Sequence, residues 1–176
     1  MTMVELLVTM TLVGILMSIA VPSYRYITYS NRASSEVNAL LGEMQLARAE
    51  AIKEGQFVTV CPSTNGTSCT AGSTTWNTGW IVFSDVNGNA TVDAGDTLIR
   101  VQKGFAVTSD QFTSDNNVSA ITFNREGFVS GLPATANGYI TITLHTSPVA
   151  AQWTRCLQIM TLGSLTTERV NQGGCL

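Results

Sequence analysis

Glu5 is the only charged residue in the first 24 positions of this 176-residue chain, and it lies inside an otherwise apolar segment. A carboxylate left unpaired in such surroundings costs several kcal/mol when the segment is in lipid. Because that cost has to be offset, the sequence predicts that Glu5 meets a partner. This expectation constrains both the fold and the function of the chain.

The apolar segment has the length of a membrane-spanning helix. Residues 6–21 carry no charge, and the apolar character persists to Tyr24. A helix needs about 20 apolar residues to cross a bilayer. A cleavable secretory signal would carry basic residues before this run and a small-x-small site after it. Here the first basic residue is Arg25, on the far side. We expect residues 1–24 to be the transmembrane half of a helix, either behind an already processed leader or as an anchor with unusual flanks.

The helical pattern continues past Pro22 as an amphipathic half over residues 25–54. Its apolar positions recur at helical spacing, and the charged positions fall off that stripe. The stripe consists of Val37, Leu40, Leu41, Met44, Ala47 and Ala51. The sequence therefore predicts one nearly continuous helix of about 50 residues. Gly14 and Pro22 are its weak points, since glycine lacks a side chain and proline lacks the ladder donor.

After Gly55 the pattern changes to short β runs separated by Gly, Asn, Ser and Pro. This spacing predicts an antiparallel sheet in a globular β domain over residues 55–176, packed on the outer half of the helix, which is an α+β fold. Residues 63–78 and 109–117 are predicted loops. The predicted strands are Phe57 to Cys61, Trp80 to Ser84, Thr97 to Gln102, Ala120 to Phe123, Tyr139 to Leu144 and Arg155 to Met160.

Four cysteines occur, at positions 61, 69, 156 and 175. Neither Cys61 with Cys69 nor Cys156 with Cys175 has the C-x-x-C spacing of a zinc or redox motif, and the single histidine adds little ligand capacity. Two disulfides in an oxidising compartment are the favoured interpretation, because the N-terminal segment suggests export. The alternative is four buried free thiols in a cytosolic protein.

Residues 85–96, D-V-N-G-N-A-T-V-D-A-G-D, have the ligand spacing of an EF-hand calcium loop. The positions that match are Asp85, Asn87, Asn89, the Thr91 carbonyl, Asp93 and Asp96. Two features differ, since Ala90 replaces the usual glycine and Asp96 is shorter than the usual bidentate glutamate. The alternative is a metal-free hairpin loop built from Asn-Gly and Asp-Ala-Gly turns. Calcium is the one cofactor that the sequence suggests.

Enzymatic activity and nucleic-acid binding are both disfavoured. The chain has one histidine and no glycine-rich phosphate loop after a strand. Its net charge is −3, and five basic residues against seven acidic ones follow Gly55. These charges are too few and too scattered to follow a phosphate backbone.

The segment T-M-V-E-L-L-V-T-M-T-L-V-G-I-L-M-S-I-A-V-P resembles the mature N-terminus of type IV pilins and type II secretion pseudopilins. The resemblance implies that a prepilin peptidase has cut after a glycine, that Met1 is the N-methylated mature residue, and that Glu5 pairs with the Met1 amine of an adjacent subunit. Phenylalanine is the usual first residue, so Met1 departs conservatively. The resemblance also implies that the stretch marked by Gly14 and Pro22 melts in the filament; the alternative is a simple kink at Pro22.

Downstream motifs narrow the resemblance to the GspH/FimT type of minor pilin and pseudopilin. They are the Cys61-Pro62 strand end with a close second cysteine, G-W-I-V-F-S-D-V-N-G-N, D-T-L-I-R-V, I-T-F-N-R-E-G and a C-terminal cysteine pair. The implied function is a minor pilin that primes filament assembly at the tip of a type IV pilus. The implied location is the bacterial inner membrane with a periplasmic C-terminal domain, and then the filament.

The resemblance implies several partners and leaves alternatives open. Other minor pilins and the major pilin would bind through the N-terminal helix, and a tip adhesin is a further candidate. The alternative functions are a type II secretion pseudopilin, a major pilin and a DNA-uptake pilin. Some relatives contact DNA through a C-terminal G-R-x-R motif, but this chain reads Gly163-Ser164-Leu165-Thr166 at that place.

Overall fold

The computed structural model describes residues 2–133, 138–172 and 175. Contacts within the chain divide it into two compact units, Met1–Arg32 and Ala33–Leu176. One helix, α1 (Met3–Glu54), supplies all the described regular structure of the first unit and continues into the second. The predicted long helix is thereby confirmed. The domain boundaries predicted after residues 24 and 54 stay predictions.

None of the described apolar side chains of the first unit is buried. Every residue from 2 to 28 is exposed. The helix continues through Gly14 and Pro22. A helix that is apolar on all sides can be stable only where its surroundings are apolar as well.

In the second unit, the remainder of α1 is amphipathic in the way that the sequence predicts. Its buried apolar residues are Ala33, Val37, Leu40, Met44, Ala47 and Ala51, and Leu41 packs at the edge of the same core. Glu43, predicted off the apolar stripe, is buried as well. Its Oε1 lies 3.3 Å from Nε of Arg100, so the carboxylate keeps a positive partner.

The helix ends at a glycine. Gly55 has a φ of +70°, and its N–H donates to the Ala51 carbonyl at 3.0 Å. A left-handed residue in this position closes the last helical turn, and glycine adopts that conformation without a steric cost. The chain then turns directly into the first strand.

Within the described residues, nine strands form two antiparallel sheets, where the sequence predicted one. The five-stranded sheet has the order β3-β2-β1-β5-β6, and the four-stranded sheet has the order β4-β7-β8-β9. The strands are β1 (Phe57–Pro62), β2 (Gly79–Asp85), β3 (Thr97–Lys103), β4 (Gln111–Ser114), β5 (Ile121–Phe123), β6 (Val129–Ser130), β7 (Tyr139–His145), β8 (Arg155–Met160) and β9 (Leu165–Arg169).

All six predicted strands are confirmed within two residues at each end. The prediction of a loop over residues 109–117 is wrong in part, because β4 lies inside it and pairs with β7. Strands β6 and β9 were not predicted. The α+β class is confirmed.

The helix and both sheets share one hydrophobic core. It joins α1 residues such as Leu40 and Met44 to Val58 and Phe123 of one sheet and Ile142 of the other. A second cluster of Cys61, Ile81 and Phe83 covers the opposite face of the five-stranded sheet. Because both faces are covered, β1 and β2 are buried along almost their whole length rather than at alternate residues.

Candidate functional site

The exposed apolar surface of the first unit is the most unusual feature of the described chain. Its mean hydropathy reaches 2.2 over 18 residues, and none of that window is buried. The large apolar side chains there are 45–81% exposed. By length and composition α1 is able to cross a membrane. A surface of this kind is matched only by lipid or by other apolar helices.

Glu5 lies in the first turn of α1, where it takes part in a reciprocal cap with Thr2. The Thr2 backbone N–H donates to Oε2 of Glu5 at 3.4 Å, and the Glu5 N–H donates to Oγ1 of Thr2 at 3.3 Å. This is the capping-box pattern, in which two unpaired N–H groups of the helix terminus are satisfied at once. Negative charge is also favoured at a helix N-terminus.

The capping role of Glu5 was missed by the sequence analysis. The signal was present as Thr2-x-x-Glu5, which is the T-x-x-E form of the motif. The predicted partner of Glu5, the Met1 amine of a neighbouring subunit, falls on a residue that lies outside the described residues. Within one chain the carboxylate therefore has a local partner, and the intermolecular pair stays a prediction.

Three hydroxyl side chains of this segment bond back to their own helix. Oγ1 of Thr9 donates to the Leu6 carbonyl at 2.9 Å, and Oγ of Ser18 donates to the Ile15 carbonyl at 2.7 Å. Thr11 does the same with the Val8 carbonyl at 2.8 Å. Threonine and serine hydroxyls within a helix commonly bond in this way. Because of these bonds, the three hydroxyl groups need no hydrogen-bond partner outside the helix, which suits a lipid environment.

Gly14 and Pro22 lie within the helical run. A Cβ added at Gly14 would meet no atom within 4 Å, so no described contact requires glycine there. Pro22 has no N–H to donate to the Ser18 carbonyl. The ladder of α1 is thus incomplete next to Pro22, and the melting of this stretch stays a prediction.

Both predicted disulfides are present. The Cα atoms of Cys61 and Cys69 are 5.6 Å apart and those of Cys156 and Cys175 are 5.7 Å apart, each pair joined by an S–S bond. The alternative of four free thiols is wrong for this chain. The first bond closes the loop after β1, and the second ties residue 175 to β8. Disulfides of this kind are typical of exported proteins.

The calcium-like loop is held by hydrogen bonds from its own backbone. Oδ1 of Asp85 accepts from the N–H groups of Gly88 and Asn89, and its Oδ2 accepts from the Ala90 N–H and from Oγ1 of Thr59. All four distances lie between 2.7 and 3.1 Å. Ala90, at the position where an EF-hand has glycine, has a φ of 59°. Asp85 therefore holds the turn through four hydrogen bonds.

The remaining side chains among the candidate ligands of that loop are also engaged. Oδ2 of Asp93 accepts from the side-chain amides of Asn87 and Asn89, and Asp96 accepts from the N–H groups of Val86 and Asp93. Thr91 donates its N–H to Oδ1 of Asn89 at 2.8 Å. Within the described ranges, no group of three or more His, Cys, Asp or Glu side chains is arranged to hold a metal ion.

Several basic residues of the second unit have partners within the protein. Arg100 pairs with Glu43 and Arg125 with Glu126. Arg155 is buried and donates to the Gln152 and Thr154 carbonyls. Three of the five basic side chains after Gly55 are thus engaged within the protein.

Known proteins of two kinds are similar to this chain. The family described as type II transport protein GspH matches residues 36–163, which is well over half of the chain. No curated protein matches it in sequence.

Among solved structures, two crystal forms of the type IV minor pilin FimU of Pseudomonas aeruginosa are similar, with TM-scores of 0.60 and 0.55 at 17% identity. They cover 87% and 83% of this chain and 99% of FimU. At that identity the likeness establishes the type IV pilin-like fold. The extent of the family match establishes more: this chain is a pilin-type structural subunit that belongs to the GspH family.

Proposed function

We propose that this chain is a minor pilin that primes the assembly of a type IV pilus at the filament tip. The observation that carries the proposal is the helix surface over residues 2–24, which is apolar, exposed and carries Glu5 as its one charged residue. Such a surface fits two environments in succession. It suits lipid before assembly and a bundle of like helices afterwards.

Glu5 would make the second environment selective. In the isolated chain its carboxylate caps the helix through Thr2 at 3.3–3.4 Å, which are long bonds that compensate little of the cost of a buried charge. In a filament core of low dielectric, the Met1 amine of a neighbour would neutralise it. A helix that enters out of register leaves both charges unpaired. The pair would therefore favour one axial position of the entering helix. N-methylation of Met1 would leave the amine able to carry its charge.

The partners follow from this geometry. Other minor pilins and the major pilin would pack along the exposed stripe of the helix, and the inner membrane would hold it beforehand. The precursor would be a substrate of prepilin peptidase, and a tip adhesin would be carried on the same complex. The two disulfides favour a periplasmic position for the second unit. The chain would act as a structural subunit, without catalysis.

Gly14 and Pro22 give the helix a place to lose regular hydrogen bonds. We infer that the stretch they bracket melts when subunits pack, which would let the filament extend. The missing Pro22 donor and the open space around Gly14 support this.

A second candidate is a pseudopilin that primes a type II secretion pseudopilus, which the family description favours. Deletion of the gene separates the candidates. We expect surface filaments to be nearly lost while exoprotein secretion continues, and the chain to be a trace component of shafts in the complemented strain. Loss of secretion with intact pili would instead identify a pseudopilin. An abundant share of the shaft would identify a major pilin, and loss of DNA uptake alone a DNA-uptake pilin.

A further inference from the structure

The second unit carries a concave surface that the filament role does not use. It consists of two adjoining pockets of about 550 and 340 Å³, which share Asn89, Ala90, Ser119 and Ala120. The larger pocket is also lined by Phe57 at its apolar side. Volumes of this size are typical of small-molecule sites in proteins. The lining comes from loops and strand ends of the second unit.

The lining is polar but uncharged. Among the described residues that line the two pockets there is no Lys, Arg, His, Asp or Glu. Asparagine, serine and threonine dominate instead, and each presents a donor and an acceptor on one side chain. An ionic ligand would have no opposite charge to pair with here. A purely apolar ligand would leave these amides and hydroxyls without hydrogen-bond partners.

Three of the polar side chains are free to bind. Within the described chain, the side chains of Asn116, Asn117 and Ser119 make no hydrogen bond, whereas Thr122 is already bonded to Thr59 at 2.7 Å. A ligand that hydrogen-bonds these groups replaces water without breaking a bond inside the protein. That exchange costs little free energy, and it favours a ligand that is itself rich in hydroxyls.

The backbone of this site is unusual in the molecule. Four non-glycine residues in the described chain have a positive φ, and three of them, Ala90, Asn116 and Asn117, line the larger pocket. Left-handed residues other than glycine are uncommon and cluster at functional sites, where neighbouring contacts hold them. Asp85 fixes Ala90 through its N–H at 2.8 Å. The turn at residues 116–117 is closed by the Val118 N–H, which donates to the Asp115 carbonyl at 3.2 Å.

We propose that this pair of pockets binds a neutral saccharide. A saccharide offers closely spaced hydroxyl groups, each able to donate and accept, which matches free amide and hydroxyl groups on a rigid wall. Phe57 supplies an apolar patch for the carbon face of a sugar ring. The free polar groups converge from one turn, so the site orients its ligand with few contacts. This binding is independent of the priming role.

The test uses the full chain in a zwitterionic detergent without a sugar headgroup, applied to an array of neutral, sialylated and sulfated oligosaccharides. We expect binding to a subset of the neutral glycans. The double variant Asn116→Gly with Asn117→Gly removes both amides while glycine accepts the left-handed backbone. It should weaken binding about tenfold or more, as the loss of two hydrogen bonds predicts.

Asn171→Gly is the matched control. Asn171 also has a left-handed φ, of 64°, but it lies outside both pockets, so its replacement should leave glycan binding unchanged. If the double variant does not fold, Ser119→Asp puts a charge on the wall shared by the two pockets and should abolish binding. The proposal is overturned if no neutral glycan binds, if only acidic glycans bind, or if binding survives in the pocket variants.

Discussion

The first unit, described over residues 2–32, and the second unit both contain part of α1 with apolar side chains. Those side chains are exposed in the first unit, whereas a stripe of them is buried in the second. In the first unit every residue from 2 to 28 is exposed. In the second, Leu40, Met44 and the large aromatic residues of the core are fully buried. The second unit thus buries its apolar side chains within the chain, whereas those of the first unit stay exposed. The two parts of this helix are therefore suited to different surroundings.

Polar groups show the same division. In the first unit Thr9 and Ser18 bond to carbonyls three residues away in their own helix. In the second unit Thr59 and Asp85 bond across strands at 2.8 Å. Local bonds need no tertiary structure, while cross-strand bonds depend on it. The hydroxyl groups of Thr9 and Ser18 are therefore bonded before the helix meets any partner, which suits a segment that changes its surroundings.

The largest expected effect contrasts one buried side chain with one exposed side chain. Phe123→Ala removes a fully buried ring from the shared core and should cost about 3–5 kcal/mol of unfolding free energy. Leu16→Ala removes a side chain that is 67% exposed and should leave that free energy unchanged. Thermal and chemical denaturation of the full chain in detergent measure both. Equal destabilisation by the two variants would break the comparison.

The disulfides of the second unit should contribute according to the loops they close. The bond between Cys156 and Cys175 spans 19 residues and the bond between Cys61 and Cys69 spans 8. Loop-closure entropy assigns about 3.3 and about 2.6 kcal/mol to them. Paired Cys→Ser variants of each should rank in that order in urea denaturation. The reverse order would show that packing around the bonds outweighs loop length.

A smaller effect is expected at the exposed end of α1. The hydrogen bond to Glu50, at 2.8 Å, raises the pKa of Lys53, with a further contribution from the Glu50 charge. A raised pKa stabilises the fold below the unfolded pKa of lysine, and the contribution is lost as pH rises through the folded value. Glu50→Gln should lower the Lys53 pKa in an NMR titration and shift the melting temperature by about 1 °C or less, because the lysine is exposed. An unchanged pKa would contradict the pairing.

No effect is expected from calcium. The carboxylates of Asp85 and Asp96 accept hydrogen bonds from backbone N–H groups of the loop itself, so a metal would have to break the turn it entered. Titration with millimolar CaCl₂, with MgCl₂ as the control, should leave the melting temperature of the second unit unchanged. A rise of several degrees with calcium alone would restore the EF-hand interpretation.

Elements with a clear hydrophobic periodicity were predicted from the sequence, whereas features that depend on tertiary contacts were not. The helix and the β-branched runs of β1, β2 and β7 were recognisable, because burial repeats along them. Strand β4 was assigned to a loop because Phe112 is its only apolar residue, and the polar edge strand β9 has no alternating pattern. The division into two sheets depends on which strands pair, which a single sequence does not encode locally.

The candidate site was predicted to a similar extent. Glu5 and both disulfides were recognised from residue type and spacing. The cap by Thr2 was not predicted, although Thr2 and Glu5 have the T-x-x-E spacing of a capping box. The polar pocket around Asn116 and Asn117 was not predicted, since its residues come from segments far apart in the sequence.

The most direct test separates the two roles of Glu5. Glu5→Gln removes the charge but keeps the cap, because glutamine also serves in a capping box. Thr2→Val removes the hydroxyl of the cap and keeps the charge. Filament incorporation, measured by immunoblot of sheared pili against the membrane pool, should be lost in Glu5→Gln and retained in Thr2→Val. Normal incorporation of Glu5→Gln would contradict the assembly role of the carboxylate.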